Sequence, residues 1–106
     1  MRVSPLLQRK KLLLLRNYKF AAEIGRGWEL DFAFPEIKLG IECQGGLWMK
    51  KSGHNTGKGL QNWIDKHQDA LKLRWNIYYC DMRLIKSGRA IESIEILIQM
   101  SLDPNF

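Results

Sequence analysis

The chain has 106 residues, which suits one domain with a single modest core. Hydrophobic residues make up 45% of it and include four Trp, which excludes a disordered polar chain. The net charge of +6 favours a polyanionic partner such as nucleic acid, although the same charge can serve solubility alone.

From the N-terminus, Ser4-Pro5 reads as an N-cap followed by a first-turn proline, and predicts a helix to about Tyr18. Its "LLLL" run, Leu12 to Leu15, is too short to span a bilayer and is flanked by Arg9, Lys10, Lys11 and Arg16. No small-residue cleavage site follows, so the run reads as one face of a basic amphipathic helix and no membrane partner is expected. The basic residues are candidate phosphate contacts, or the solvated side of that helix. "GRG" at Gly25 to Gly27 is a turn. Trp28 to Phe34 alternates, with Trp28, Leu30, Phe32 and Phe34 on one face and Glu29, Asp31 and Ala33 on the other. After a tight connection at Pro35-Glu36, Ile37 to Gln44 alternates again, with Ile37, Leu39, Ile41 and Cys43 opposed to Lys38, Gly40, Glu42 and Gln44. Two such runs joined by a short turn predict an antiparallel hairpin.

Gly45 to Gly59, with five glycines, reads as a long loop. It carries His54 among Lys50, Lys51 and Lys58, a composition able to mould itself on a phosphate backbone or simply to stay solvated. It is not a P-loop, because Gly57-Lys58 comes one place early and Gly59 follows instead of Ser or Thr. A helix is predicted from about Leu60 to Leu73, with Leu60, Trp63, Ile64, Ala70 and Leu71 on its apolar face. Trp75 to Cys80 reads as a strand, Asp81 to Arg89 as a connector, and Ala90 to Leu102 as a final amphipathic helix. Trp48, Trp63 and Trp75 are expected in the core, with Trp48 also placed to stack on a base. The order α-β-β-α-β-α predicts an α/β domain whose small mixed sheet is flanked by helices. Cys43 and Cys80 lack zinc-ligand spacing and read as reduced thiols of a cytoplasmic protein, with a disulfide conceivable if their strands are neighbours.

The chemistry concentrates in the hairpin. Period two puts Glu42 and Gln44 on one side of their strand, and a turn at Pro35-Glu36 lets Asp31 join them. Two carboxylates, a backbone carbonyl and waters form an oxygen-rich site suited to Mg²⁺ or Mn²⁺. The same spacing also suits the solvated outer face of a two-layer sheet. Lys66, off the apolar stripe of its helix, is either a functional cation or a partner of Asp65 and Asp69.

The pattern D-x10-E-x-Q, in "WELDFAFPE" and "IECQGG", resembles the PD-(D/E)XK nuclease superfamily. The later segments "SGHNTGKG", "IDKH" and "RWNIYYC" are similar, in order, to those of its small phage and bacterial endonucleases of the VRR-NUC and very-short-patch-repair-like branches. The resemblance runs from about Tyr18 to Ala90. It implies a restriction-endonuclease-like core in which Asp31, Glu42 and the Cys43 carbonyl hold Mg²⁺ or Mn²⁺. It implies a catalytic set of Asp31, Glu42, Gln44, Lys66 and His54, with Gln44 beside the attacking water. The superfamily consensus has lysine where this chain has Gln44, and an amide brings neither positive charge nor a base. Lys66 is the candidate for a lysine relocated to the following helix. Asn17 takes the place of a Glu that relatives often carry before Tyr-x-Phe, and Glu29 replaces a usual basic residue. His54 is implied to contact phosphate or to donate a proton.

The resemblance thus implies a metal-dependent DNA endonuclease, expected to nick or to cut branched and junction DNA in the cytoplasm, the host cell's if it is phage-encoded. A homodimer would suit a two-fold junction, and little of the chain is left over for a separate sequence-reading domain. Two other readings stand beside it: a catalytically degenerate DNA-binding module of the same fold, supported by Gln44 and Asn17, and a small regulatory protein docking through its long loop. RNA in place of DNA remains open.

Overall fold

A computed structural model describes residues 12–44, 57–103 and 105. Four strands form one mixed sheet: β1 (Leu15–Lys19), β2 (Glu29–Phe34), β3 (Leu39–Gln44) and β4 (Asn76–Asp81). They lie side by side in chain order, the first three antiparallel and β4 parallel to β3. A parallel neighbour needs a long crossover, supplied here by helix α1 (Gly57–Lys72). Two helices follow β4: α2 (Met82–Lys86) and α3 (Arg89–Leu102).

The sheet has a core on each face. On one, Phe20, Ala21, Leu30 and Ala33 meet Ala70 of α1 and Trp75. Tyr18 and Phe20 hold Trp75 between them, at ring-centre distances of 5.7 and 5.8 Å. On the other face, Ile41 and Cys80 meet Ala90 of α3, with Phe32, Phe34 and Ile94 packed around them. Both faces of β2 and β3 are therefore covered, the expected environment for strands at the centre of an α/β domain.

The expected hairpin is present, with Pro35–Ile37 as a 3-10 turn and Lys38 left-handed (φ 51°) as its cap. Several boundaries differ from the sequence expectation. The helix predicted to run to Tyr18 does not extend that far: Leu15–Lys19 is strand β1, because the open edge of β2 offers a ladder and Tyr18 a place in the core. Helix α1 begins at Gly57, so the expected loop loses its last three residues and Lys58 becomes an exposed first-turn residue. The supposed connector contains α2, capped by Asp81, whose carboxylate accepts the Leu84 N–H at 2.9 Å. That hydrogen bond holds the Asp81 carboxyl below its usual range.

The apolar stripe of α1 is also corrected. Leu60 and Ile64 are about half exposed and Leu71 is 71% exposed, while Trp63, His67 and Ala70 lie closer to the sheet. At 100° per residue, the stripe of Leu60, Ile64 and Leu71 is turned about 80° from Trp63. The side facing the sheet is the one with Lys66, His67 and the buried Asp69 interleaved, because each has a polar partner there.

At its end, α1 stops in a Schellman arrangement. Trp75 N–H donates to Ala70 O at 2.8 Å and Arg74 N–H to Leu71 O at 3.1 Å, with Arg74 left-handed at φ 63°. Trp75 and Ala70, the pair that this motif brings together, share the first core.

Candidate functional site

The site begins where the β2–β3 ladder ends. The strands pair regularly through Phe34↔Leu39, Ala33↔Gly40 and Phe32↔Ile41. Beyond Phe32 the side chains take over: the Cys43 N–H donates to Asp31 Oδ2 at 2.8 Å, and the Asp31 N–H donates to Glu42 Oε2 at 3.1 Å. Each carboxylate thus replaces a ladder partner on the opposing strand, which fixes both side chains at the splayed end of the hairpin.

The alternation of β2 slips at this point. Leu30 packs with Ala33 in the first core and Phe32 with Phe34 in the second, whereas the period puts Leu30, Phe32 and Phe34 on one face and Ala33 on the other. Leu30 lies over Gly40, where an added Cβ would come within 2.5 Å of its Cδ1, so only glycine leaves room for this packing. The slip is matched on β1, where Asn17 is left-handed (φ 50°) between the pairs Arg16↔Phe32 and Tyr18↔Leu30. Asn is among the residues that tolerate this backbone.

As a result the three hairpin residues divide between two hollows. Glu42 and Gln44 share one face, as their spacing predicts, and line a pocket of about 230 Å³ with Lys66 and Tyr79. Asp31 opens instead on a second hollow of about 220 Å³, with Arg16, Asn17, Phe32 and Cys43. The expected convergence on one face is therefore corrected: Asp31 and Glu42 meet through the main chain of the splayed strands, the slip at Asp31 having turned its side chain away.

Lys66 is brought to the site. From α1 its ammonium donates to Glu42 Oε1 and to the Glu29 carbonyl, with both side chains largely buried. Burial raises the Glu42 carboxyl above its ordinary range, and the Lys66 ammonium and the Asp31 N–H pull it back only in part. Asp69 does not pair with Lys66, as one reading of the helix allowed. It accepts from Trp28 Nε1 at 2.7 Å and Arg26 Nε at 3.1 Å.

Cys43 and Cys80 are directly paired on β3 and β4, both are free, and their sulfurs are 3.9 Å apart. Burial pushes the Cys80 thiol up to about 12 and raises that of Cys43. His54, Arg9, Lys10, Lys11, Lys50, Lys51 and Trp48 lie outside the described residues.

Sequence reasoning missed the aromatic wall of the Glu42 pocket. Tyr79 is in register with Glu42 across the parallel β3–β4 pair. Its hydroxyl lies 3.0 Å from His67 Nδ1, and burial pushes the phenol up to about 12. Trp63, expected in the core, is only partly buried and lines the same pocket, as does Trp28. The parity of "NIYYC" against "LGIEC" was the available signal, and it needed the parallel register to be read.

Among the described residues, no group of three or more His, Cys, Asp or Glu is arranged to hold a metal ion. Two carboxylates and a backbone carbonyl are all hard oxygen donors, the set that Mg²⁺ accepts while keeping several waters. In comparison with known proteins, the chain matches no family model, and no curated protein or solved structure gives a significant match.

Proposed function

We propose that the chain is a metal-dependent phosphodiesterase of nucleic acid and, more narrowly, a DNA endonuclease that nicks or cuts branched DNA. The observation that carries this reading is the splayed end of the β2–β3 hairpin, where Asp31 and Glu42 are anchored by each other's strands and Lys66 arrives from the next helix. The PD-(D/E)XK-like spacing of these residues and the net charge of +6 support it. So does the order of three antiparallel strands, a helix and a parallel fourth strand, which is compatible with a restriction-endonuclease-like core.

In this reading Asp31, Glu42 and the Cys43 carbonyl would hold Mg²⁺ or Mn²⁺ once the Asp31 side chain turns from its own hollow toward Glu42, and the ion would supply an activated water and neutralise charge on the phosphate. Gln44 orients the water by hydrogen bonding without taking its proton. Lys66 contributes the positive charge that Gln44 lacks, and its flexible stem lets it pass from Glu42 to a phosphate oxygen. The loop lysines, His54 and the N-terminal Arg9, Lys10 and Lys11 are assigned to phosphate contacts, with Lys58 beside them on the first turn of α1.

The test is cleavage of a DNA panel (linear duplex, single strand, flap, four-way junction) with Mg²⁺ or Mn²⁺. Asp31→Asn and Glu42→Gln keep an acceptor for the main-chain N–H groups and should remain folded. Each is expected to lower cleavage about 100-fold or more, since even outer-shell partners of metal ligands are worth 10–100-fold. Folded variants that cut like the unaltered protein defeat the reading.

A second reading rests on one contact. Lys66 already neutralises Glu42, and with Gln44 in the lysine position the site has the composition of a degenerate, DNA-binding-only module. Salt-dependent DNA binding, with no heat of Mg²⁺ or Mn²⁺ binding by calorimetry, selects it.

A further inference from the structure

We infer that the pocket between β3, β4 and α1 takes an unpaired nucleobase of the DNA, stacked against Trp63; this rests on the nucleic-acid reading above and names what its site recognises.

The pocket, about 230 Å³, has room for a single ring system and is too small for a base pair. Its walls are aromatic: Trp28, Trp63 and Tyr79 all line it. The rings are held in place. Trp63 lies 4.7 Å from the His67 ring and 5.8 Å from that of Tyr79, and His67 stacks on Tyr79 at 5.5 Å and 15°. The Tyr79–His67 hydrogen bond ties the last pair together. Trp28 is fixed from behind by Asp69 and carries the Arg26 guanidinium 5.5 Å from its ring centre. A wall of this kind needs no ordering when a flat ligand enters, which favours stacking over loose apolar contact.

Polar groups suited to a base edge line the same pocket. Asn62 offers an amide donor and acceptor, the groups that read the Watson–Crick edge of an extruded base, while Gln44 keeps its place beside the water. Lys66 brings a cation to the same space, next to Glu42. A base in the pocket would therefore leave its own phosphate near the splayed hairpin, while a paired base, buried in its stack, has no access. The preferred substrate is then DNA with an unpaired nucleotide at the site of action: a bulge, a flap base or the branch point of a junction.

The probes are two labelled DNA hairpins of equal length, one fully paired and one with a single bulged 2-aminopurine, titrated in EDTA so that nothing is cut. The bulged hairpin is expected to bind roughly ten-fold more tightly, since stacking on an aromatic side chain is worth several-fold to a hundred-fold per base. Its 2-aminopurine emission should be quenched on binding. Trp63→Ala should abolish both effects and leave the affinity for the paired hairpin unchanged, and Trp63→Phe should keep most of the preference. Asn62→Ala, at an exposed position that does not threaten folding, should lower the preference for the bulge alone. Equal affinity of the unaltered protein for both hairpins, no binding of either, or quenching that survives in a folded Trp63→Ala overturns the inference. Preference for the bulge in a protein that never cleaves DNA supports the base pocket and removes the nuclease. Cleavage without preference does the reverse.

Discussion

Helix α1 makes two carboxylate–cation contacts on adjacent turns, and they are built differently. At Asp69 the carboxylate belongs to the helix, its side chain is 8% exposed, and its partners come from the segment leading into β2. A ring N–H and a guanidinium N–H converge on one oxygen, next to Ala70 and the first core. At Glu42 the carboxylate belongs to the sheet, the helix provides the cation, and the pair borders an open pocket. Burial raises the Glu42 carboxyl despite Lys66. Asp69 is thus a knot tied by a rigid indole N–H with the half-exposed Arg26 beside it, whereas Glu42 is held by a flexible ammonium, the one that the proposed function would exchange for a metal ion or draw to a phosphate. The same two ingredients are tied differently in the two places, and what differs is the stiffness of the partner.

The largest effect should follow from breaking the knot. Asp69→Ala leaves the Trp28 indole N–H without its partner and unties the approach to β2 from α1, and should lower stability by about 3 kcal/mol. Urea unfolding measures it. Asp69→Asn retains an acceptor and should lose less. Lys66→Met, which fills similar space, should lose about 1–2 kcal/mol, because Glu42 can take up a proton or face the pocket once its cation is gone. Equal losses at the two positions would erase the distinction between knot and exchangeable pair.

The hairpin, the central helix and the last strand were legible because their signals are local: period-two alternation, Pro35 at a turn, an apolar run at β4. Leu15–Lys19 was misread because "LLLLRNYKF" fits a helix as well as a strand, and only the open edge of β2 decides between them. The α1 stripe was misread for the opposite reason. Lys66, His67 and Asp69 look like a solvated face until their partners Glu42, Tyr79 and Trp28 are brought in from segments 12 to 41 residues away. At the site, Glu42 and Gln44 were placed correctly by parity. Asp31 was not, because the slip shared with Asn17 is a cross-strand event that no single-strand period contains.

A smaller effect reads the Glu42 carboxyl by pH. The folded Glu42 carboxyl lies above its ordinary 4.5, so the folded state holds this proton more tightly than the unfolded chain. The contribution to stability is complete below 4.5 and is lost as pH rises through the raised value. Glu42→Gln has no such proton to lose. The difference in thermal midpoint between Glu42→Gln and the unaltered protein, in EDTA, should therefore move in favour of Gln between mildly acidic and neutral pH. A constant difference across that range contradicts the raised carboxyl and the contrast built on it.

The smallest effect acts on the end of α1 nearest the knot. Arg74 sits at φ 63° in the Schellman turn, a backbone that disfavours any residue with a Cβ, and its side chain is exposed. Arg74→Gly removes that strain at the expense of a more flexible unfolded chain, for a net gain of about 0.5–1 kcal/mol. The gain should appear undiminished in the Lys66→Met background, because Arg74 is two turns of helix away and shares no partner with Lys66. It should shrink in the Asp69→Ala background, where the Leu73 N–H still donates to the Asp69 carbonyl but the helix end is no longer tied to the approach to β2. That pattern of coupling, measured by urea unfolding of the single and double variants, separates the two ends of one helix by what each is fastened to.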